Sequence, residues 1–264
     1  MARRRGGRLG TLSINKLIPN ALTILALCVG VTAMRFAFEG LWDRAVIAVV
    51  VAAVLDGLDG RIARALGATS RFGAELDSLS DFVCFGVAPA VVVYLWSLRG
   101  TGGLGWALAL LFVVCCALRL ARYNVGLSSK DERPAWTQDF FMGVPAPSGG
   151  GLALLPLIFG LQIEDPIFAS AWINGLMLAG VSALMVSRLP TFAFKHVHVP
   201  GRHVLFALLG VGAFAAFLIS TPWITLGVTG LVYLAIIPYA RVVYRRRQAQ
   251  AAQAGQESSD TPDL

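Results

Sequence analysis

Residues 56–81 read DGLDGRIARALGATSRFGAELDSLSD. Four aspartates, Asp56, Asp59, Asp77 and Asp81, stand in this stretch beside Glu75, Arg61, Arg64 and Arg71. On helices, residues three or four apart share a face, so Asp56 pairs with Asp59 and Asp77 with Asp81. Gly60 and Ala63 continue the first face with small side chains. Gly67 and Gly73 bracket the segment between the pairs, which reads as a loop that lets two helices run antiparallel and bring the carboxylates together.

The surroundings make this cluster decisive. Of the 264 residues, 56% are hydrophobic and only 14% charged, with mean hydropathy +0.70. Soluble domains carry about a quarter charged residues, so there is too little charge here to cover a water-facing surface. Apolar runs fall at 17–34, 45–55, 82–98, 104–118, 151–161, 168–186, 204–219 and 223–237. The longer ones approach the roughly 20 residues that cross about 30 Å of hydrocarbon. The expected fold is all-α: a polytopic transmembrane bundle of about eight helices, or six core helices plus two, with a cytoplasm-facing site.

A net charge of +7 would suggest nucleic acid in a soluble protein. Its placement suggests a membrane instead. With a cytoplasmic N-terminus and eight alternating spans, only Arg35, Arg44 and Arg99 of the 22 Lys and Arg residues fall on the far side. That asymmetry is the positive-inside pattern, and it places both termini in the cytoplasm of a bacterial or archaeal inner membrane.

Three regions are expected: a basic lead-in at 1–16, the membrane domain at 17–247, and a polar, disordered tail at 248–264. The first 27 residues resemble a signal peptide but lack a clean small-residue cleavage site, so they read as an uncleaved first span. Cys28, Cys84, Cys115 and Cys116 lie in apolar runs and read as packing residues. Two long cytoplasmic loops, 123–145 and 188–203, contrast with short connections on the other face, so loop-borne function is expected on the cytoplasmic side. His196, His198 and His203 lack Cys or carboxylate partners and read as an interfacial loop rather than a metal cluster.

Ionisable residues at membrane depth cost roughly 2.5–3.5 kcal/mol each, which marks the four aspartates as functional. Two carboxylates about 4 Å apart repel by roughly 4 kcal/mol at an effective dielectric near 20, so a cation must sit among them. All-oxygen ligands suit Mg²⁺ or Mn²⁺, with Ca²⁺ as another occupant. Two such ions would clamp a phosphate and support in-line displacement. A salt-bridged structural pair or a proton relay would not require the small residues alongside.

The pattern Asp-x2-Asp-Gly-x2-Ala-Arg, eight residues, then Gly-x3-Asp-x3-Asp is met at Asp56, Asp59, Gly60, Ala63, Arg64, Gly73, Asp77 and Asp81. It resembles, without departure, the signature of the CDP-alcohol phosphotransferase family. The resemblance implies that Asp56, Asp59, Asp77 and Asp81 hold two divalent metals and that Asp81 is the general base. It also implies that Gly60, Arg64, Ser70 and Gly73 lie near the phosphates and nucleotide, with Asn20 to Thr23 near the cytidine. Over about residues 15–245 the likeness extends to the membrane-embedded phosphatidylserine synthase branch. It is carried by IPNALT (18–23), LRLARYNV (118–125), FMGVPAPSGG (141–150) and VSRLPTFAFK (186–195). That branch implies CDP-diacylglycerol as donor, L-serine as acceptor, phosphatidylserine and CMP as products, and a homodimer.

A serine carboxylate needs a cation. Arg119, Arg122, Arg188 and Lys195 lie at cytoplasmic helix ends, and Arg122, Asn124 and Arg188 are the expected serine pocket. Pro145 and Pro147 are expected to shape the start of a span. Acceptors such as glycerol-3-phosphate or inositol phosphate would call for a denser basic pocket. A secondary transporter would show matched repeats and broken helices, a scaffold would have no use for four carboxylates, and the chain shows one acidic cluster without a counterpart.

Overall fold

The computed structural model describes residues 14–128, 140–192 and 203–259. Lys195, His196, His198 and most of the basic lead-in lie outside the described residues.

Helices α1 (Ile14–Phe38) and α2 (Trp42–Ala65) form a hairpin closed by Gly40 in the left-handed region. Ala33, Ala37, Ala45, Ala48 and Ala52 are buried along it. Small side chains let two backbones approach closely, which is how helices associate in lipid. Helix α3 (Arg71–Asp81) opens a longer rod. It continues through a π-helical turn (Phe82–Val87), α4 (Ala88–Val93), a second π-helical turn (Tyr94–Leu98) and a 3₁₀ turn (Arg99–Thr101).

Helix α5 (Gly103–Ser128) returns. Helices α6 (Ala146–Ala153) and α7 (Leu155–Ile163) form one rod, interrupted at Leu154 just before Pro156, which has no N–H to continue the ladder. Then come α8 (Ala171–Val186), α9 (Val204–Ser220) and α10 (Pro222–Ser259).

Eight helical rods therefore stand among the described residues, as the apolar runs predict. Five segments are long and apolar enough to cross a membrane: Leu17–Phe38, Arg71–Thr101, Gly103–Gly126, Ala146–Ile163 and Pro222–Gln250. Helices α8 and α9 are shorter and apolar, and α2 ends in the acidic stretch. The protein is a multi-pass membrane protein. Six rods enclose the core, where Phe85, Phe112, Leu154, Leu157, Leu178 and Met185 are fully buried. Helix α9 has no buried residue, while α10 lies along α7 and the ribbon described next.

The structure departs from the sequence reading at several points. The loop expected from residue 123 begins later, because α5 runs on to Ser128. The two long loops meet as an antiparallel ribbon, β1 (Phe140–Met142) against β2 (Pro190–Phe192), with Phe141 opposite Thr191. Gly73 does not bracket a loop but sits in the first turn of α3. Helix α10 carries regular backbone to Ser259, past the expected boundary at 247. All four cysteines are free thiols; Cys84, Cys115 and Cys116 are buried, but Cys28 is exposed. Pro145 and Pro147 behave as expected, with Pro145 extended at ψ 148 and α6 starting at the next residue.

Candidate active site

The end of α2 and the middle of α3 bring three aspartates together. Carboxylate oxygens of Asp56, Asp59 and Asp77 lie within 4.8 Å of one another. Asp59 is the most enclosed, 3% exposed, and Thr23 Oγ1 on α1 lies 2.5 Å from its Oδ2. The same hydroxyl lies 3.1 Å from the Pro19 carbonyl. Both partners are acceptors and the hydroxyl has one proton, which goes to the shorter, charge-assisted contact with Asp59.

Asp81 lies one helical turn beyond Asp77, where the first π-helical turn begins. Its side chain is within hydrogen-bonding reach of Asp56, and its Oδ1 is buried with no partner. Leaving a buried acceptor unmet costs about 1–3 kcal/mol, more for a charged group. Three convergent carboxylates and an orphaned fourth oxygen are a hard, oxygen-rich set, and among the described residues none of the four aspartates forms an ion pair with Lys or Arg. This set fits divalent metal ions. The aspartate spacing therefore delivers the convergence it predicts, with Asp81 set slightly apart from the other three.

Beside the carboxylates opens a cleft. It is lined by Pro19, Asn20 and Thr23 of α1, by Asp59, Gly60, Ala63 and Arg64 of α2, by Ala68 to Ser70, and by Gly73, Ala74 and Asp77 of α3. All six residues expected near the nucleotide, Asn20, Thr23, Gly60, Arg64, Ser70 and Gly73, line this one space.

Local chemistry explains its shape. Gly67, at φ +59, ends α2 in the left-handed region that favours glycine, and the Ala68 N–H closes on the Ala63 carbonyl at 2.8 Å. That turn brings residues 68–70 to the cleft. Ser70 caps α3 by accepting from the Gly73 N–H at 3.0 Å. The first turn of α3 borders the cleft at Gly73 and Ala74, and the positive end of the helix dipole favours an anion there. A Cβ on Gly73 would come within 2.9 Å of Asn20 Oδ1 and 3.1 Å of Ser70 Oγ, so α1 and α3 meet here only because residue 73 has no side chain. A Cβ on Gly60 would meet only Arg64 Nη1, at 3.6 Å. That glycine opens the cleft rather than allowing two helices to touch.

The expected serine-pocket residues are placed differently. Arg122 donates from Nη1 to the Val186 carbonyl at 2.8 Å, and from Nη2 to the carbonyls of Met142, Met185 and Ser187 at 3.0, 3.3 and 3.2 Å. It pins β1 to the end of α8. Asn124 Nδ2 donates to Ser78 Oγ at 3.0 Å and ties α5 to α3. Arg188 is exposed just past α8. Arg122 and Asn124 thus engage different elements, the ribbon and α8 for one and α3 for the other.

The residue that does approach the carboxylates is Arg119, one turn earlier on α5, 7% exposed and electrostatically coupled to Asp81. Sequence reasoning grouped it with the interfacial arginines. The missed signal was its helix face: Phe112, Cys115 and Cys116 precede it by seven, four and three residues and are all buried.

Residues 16–187 match the family model described as CDP-alcohol phosphatidyltransferase, and residues 202–238 match CDP-alcohol phosphatidyltransferase 2. The chain is 41% identical over 225 residues to the CDP-diacylglycerol–serine O-phosphatidyltransferase of Mycobacterium leprae, covering 85% of this chain and 74% of that protein. The protein of the same name from Mycobacterium tuberculosis (strain ATCC 25618 / H37Rv) is 40% identical over 227 residues, covering 85% of this chain and 78% of its own length. The Bacillus subtilis (strain 168) protein of that name is 33% identical over 178 residues, covering 67% of this chain and 91% of its own.

Proposed function

This chain belongs to the CDP-alcohol phosphatidyltransferase family, and we propose that within it the chain transfers the phosphatidyl group of CDP-diacylglycerol to L-serine, releasing CMP and leaving phosphatidylserine. The family depends on divalent metal ions, and the aspartate cluster can bind one. The observation that carries the reading is the convergence of Asp56, Asp59 and Asp77 at the side of a cleft lined by Asn20, Thr23, Gly60, Arg64, Ser70 and Gly73.

In this reading Asp56, Asp59, Asp77 and Asp81 hold two metal ions, Mg²⁺ or Mn²⁺, with Ca²⁺ as another occupant. When bound, the ions withdraw charge from the pyrophosphate and stabilise its displacement. The chain's own residues do the rest. Thr23 fixes the orientation of Asp59. Arg64 presents a planar donor fork to phosphate oxygens, while Gly60 leaves room for the nucleotide to approach the backbone. Ser70 and Gly73 shape the first turn of α3 beneath the phosphates, and Asn20 offers amide groups to the cytosine.

Asp81 accepts the proton of the serine hydroxyl as its oxygen bonds to the phosphatidyl phosphorus and the bond to CMP breaks. The attack is direct, with no covalent phosphatidyl-enzyme, since the cleft hydroxyls of Thr23 and Ser70 are engaged with Asp59 and the Gly73 N–H. Arg122, Asn124 and Arg188 belong to the acceptor side. Arg122 and Asn124 act there by fixing the ribbon and α3 in place. Both termini face the cytoplasm of a bacterial or archaeal inner membrane, as the charge asymmetry implies, and the chain works as a homodimer, for which the apolar α9, with no buried residue, offers a surface.

The test is CMP release by purified protein given CDP-diacylglycerol and, in turn, L-serine, glycerol-3-phosphate and inositol phosphate. Serine alone should support turnover, in a reaction silenced by EDTA and restored by Mg²⁺ or Mn²⁺. Turnover with a phosphorylated acceptor and none with serine would refute the assignment. Inversion at phosphorus is expected, and retention would replace direct attack with a covalent intermediate.

A further inference from the structure

Arg119 heads a second polar cluster, and none of its members lines the nucleotide cleft. The guanidinium rests over the Tyr123 ring at 5.4 Å and makes no hydrogen bond or ion pair with a described residue. Asp81, Cys116, Tyr123 and Tyr233 are the groups it interacts with electrostatically. Tyr233, on α10, has a buried hydroxyl with no well-formed hydrogen bond, beside Ser148 of α6 and Thr191 of β2. The Thr191 hydroxyl is committed to the Gly143 carbonyl at 3.0 Å.

Burying a cation away from water is costly unless its donors are met, and one aromatic face offsets only part of that cost. The cluster therefore holds an excess of donors, from a guanidinium and a phenol, opposite the unmet Asp81 Oδ1. A planar, doubly accepting anion is what such a fork matches, and a carboxylate has that form.

In-line displacement fixes the direction of approach. The incoming oxygen must reach phosphorus from the side opposite the leaving group. With CMP in the Asn20–Gly73 cleft, an acceptor that gives its proton to Asp81 comes from that residue's side, toward which Arg119 is coupled.

We propose that Arg119, with Tyr233, forms the subsite for the acceptor's α-carboxylate, holding an amino-acid substrate so that its hydroxyl meets Asp81. This assignment rests on the serine-accepting reading above and adds the residues that impose it. Ethanolamine, which is serine without the carboxylate, would leave the guanidinium buried and unpaired, and a site built for a polar group rejects analogues lacking it.

The experiment measures CMP release from the full-length protein in lipid nanodiscs, with L-serine and with ethanolamine, for wild type, Arg119→Gln, Arg119→Lys and Tyr233→Phe. In Arg119→Gln, kcat/KM for serine should fall roughly 10- to 100-fold, the effect of losing a charge-assisted pair. The loss should appear mainly in the serine KM. The KM for CDP-diacylglycerol should hold, and the preference for serine over ethanolamine should collapse. Arg119→Lys should recover part of that preference, and Tyr233→Phe should raise the serine KM by about 3- to 10-fold.

If Arg119→Gln slows both acceptors equally, the arginine is only a counter-charge to Asp81 and the proposal is overturned. An unchanged serine KM in Tyr233→Phe overturns the tyrosine's part, and decides the matter should the Arg119 variants not fold. Wild-type protein that releases no CMP with serine but does so with another acceptor would instead sink the serine-accepting reading itself.

Discussion

Thr23 of α1 and Asp59 of α2, separated by 36 residues in sequence, are joined by a 2.5 Å hydrogen bond in the protein interior. Thr23 is 4% exposed and Asp59 3%. The bond orients the most enclosed carboxylate of the cluster, and partners of this kind typically govern metal affinity by 10- to 100-fold, roughly. Thr23→Val keeps the shape and removes the donor. The Mg²⁺ or Mn²⁺ concentration for half-maximal activity should rise by about 10-fold, and Thr23→Ser should restore it. A metal titration of CMP release in Thr23→Val that overlays wild type would dismiss the orienting role.

Replacing Asp56, Asp59 or Asp77 by Asn removes a ligand and a source of repulsion together. Activity should drop to background in each variant. Metal-free thermal stability should hold or rise, because like charges at this separation repel. Added Mg²⁺ or Mn²⁺ should raise the Tm of wild type, since a ligand that binds only the folded state stabilises it, and should leave these variants unmoved. Unfolding in detergent with and without EDTA makes the comparison; a metal-dependent Tm in all three variants would argue against a shared site.

The two glycines of the cleft should respond oppositely to alanine. Gly60→Ala adds a methyl group that meets only Arg64 Nη1 at 3.6 Å. It should stabilise α2 by about 0.5–1 kcal/mol while raising the KM for CDP-diacylglycerol. Gly73→Ala places a carbon 2.9 Å from Asn20 Oδ1, so it should lower the Tm as well as weaken donor binding. Equal stability effects at both positions would show that α1 and α3 do not meet at Gly73 as described.

Arg122→Ala frees four carbonyls at the junction of β1 and α8. The expected result is a stability loss of about 1–3 kcal/mol, read as a lower Tm, with the serine-to-ethanolamine preference retained. A selective rise in serine KM without a Tm change would return Arg122 to direct contact with the acceptor. Gly143→Ala should mimic the stability loss. Gly143 sits at φ +82, and its Cβ would press on Arg122 Nη2 and the Ser187 carbonyl, both at 3.0 Å.

Much of this was legible in the sequence because the membrane narrows the choices. Apolar runs can only be helices where backbone groups must be paired internally, so the rods follow from hydropathy. Aspartates three and four apart must share a helix face, so the cluster follows from spacing. What escaped is what depends on tertiary contact. The β1–β2 ribbon is built from segments about 50 residues apart whose pairing has no periodic signal. Arg119 and Arg122 look alike in LRLARYNV, yet one is buried beside Asp81 and the other grips backbone carbonyls. Gly73 was misplaced for a related reason: a glycine needed for a close helix approach looks like one needed for a turn.

The π-helical turn at Phe82–Val87 has a further consequence. Upstream, the rod aims Asp77 and Asp81 toward the reaction centre; downstream, it buries Ala88, Val92 and Val93 among the neighbouring rods. An i→i+5 turn accommodates a residue that an unbroken α-helix would not, and one residue shifts helical phase by about 100°. The two jobs of this segment are thus set at different azimuths by the wider turn between them. Deleting a single residue from 82–87 would regularise the helix and rotate one job out of alignment with the other. The protein should therefore tolerate no change in the length of this turn.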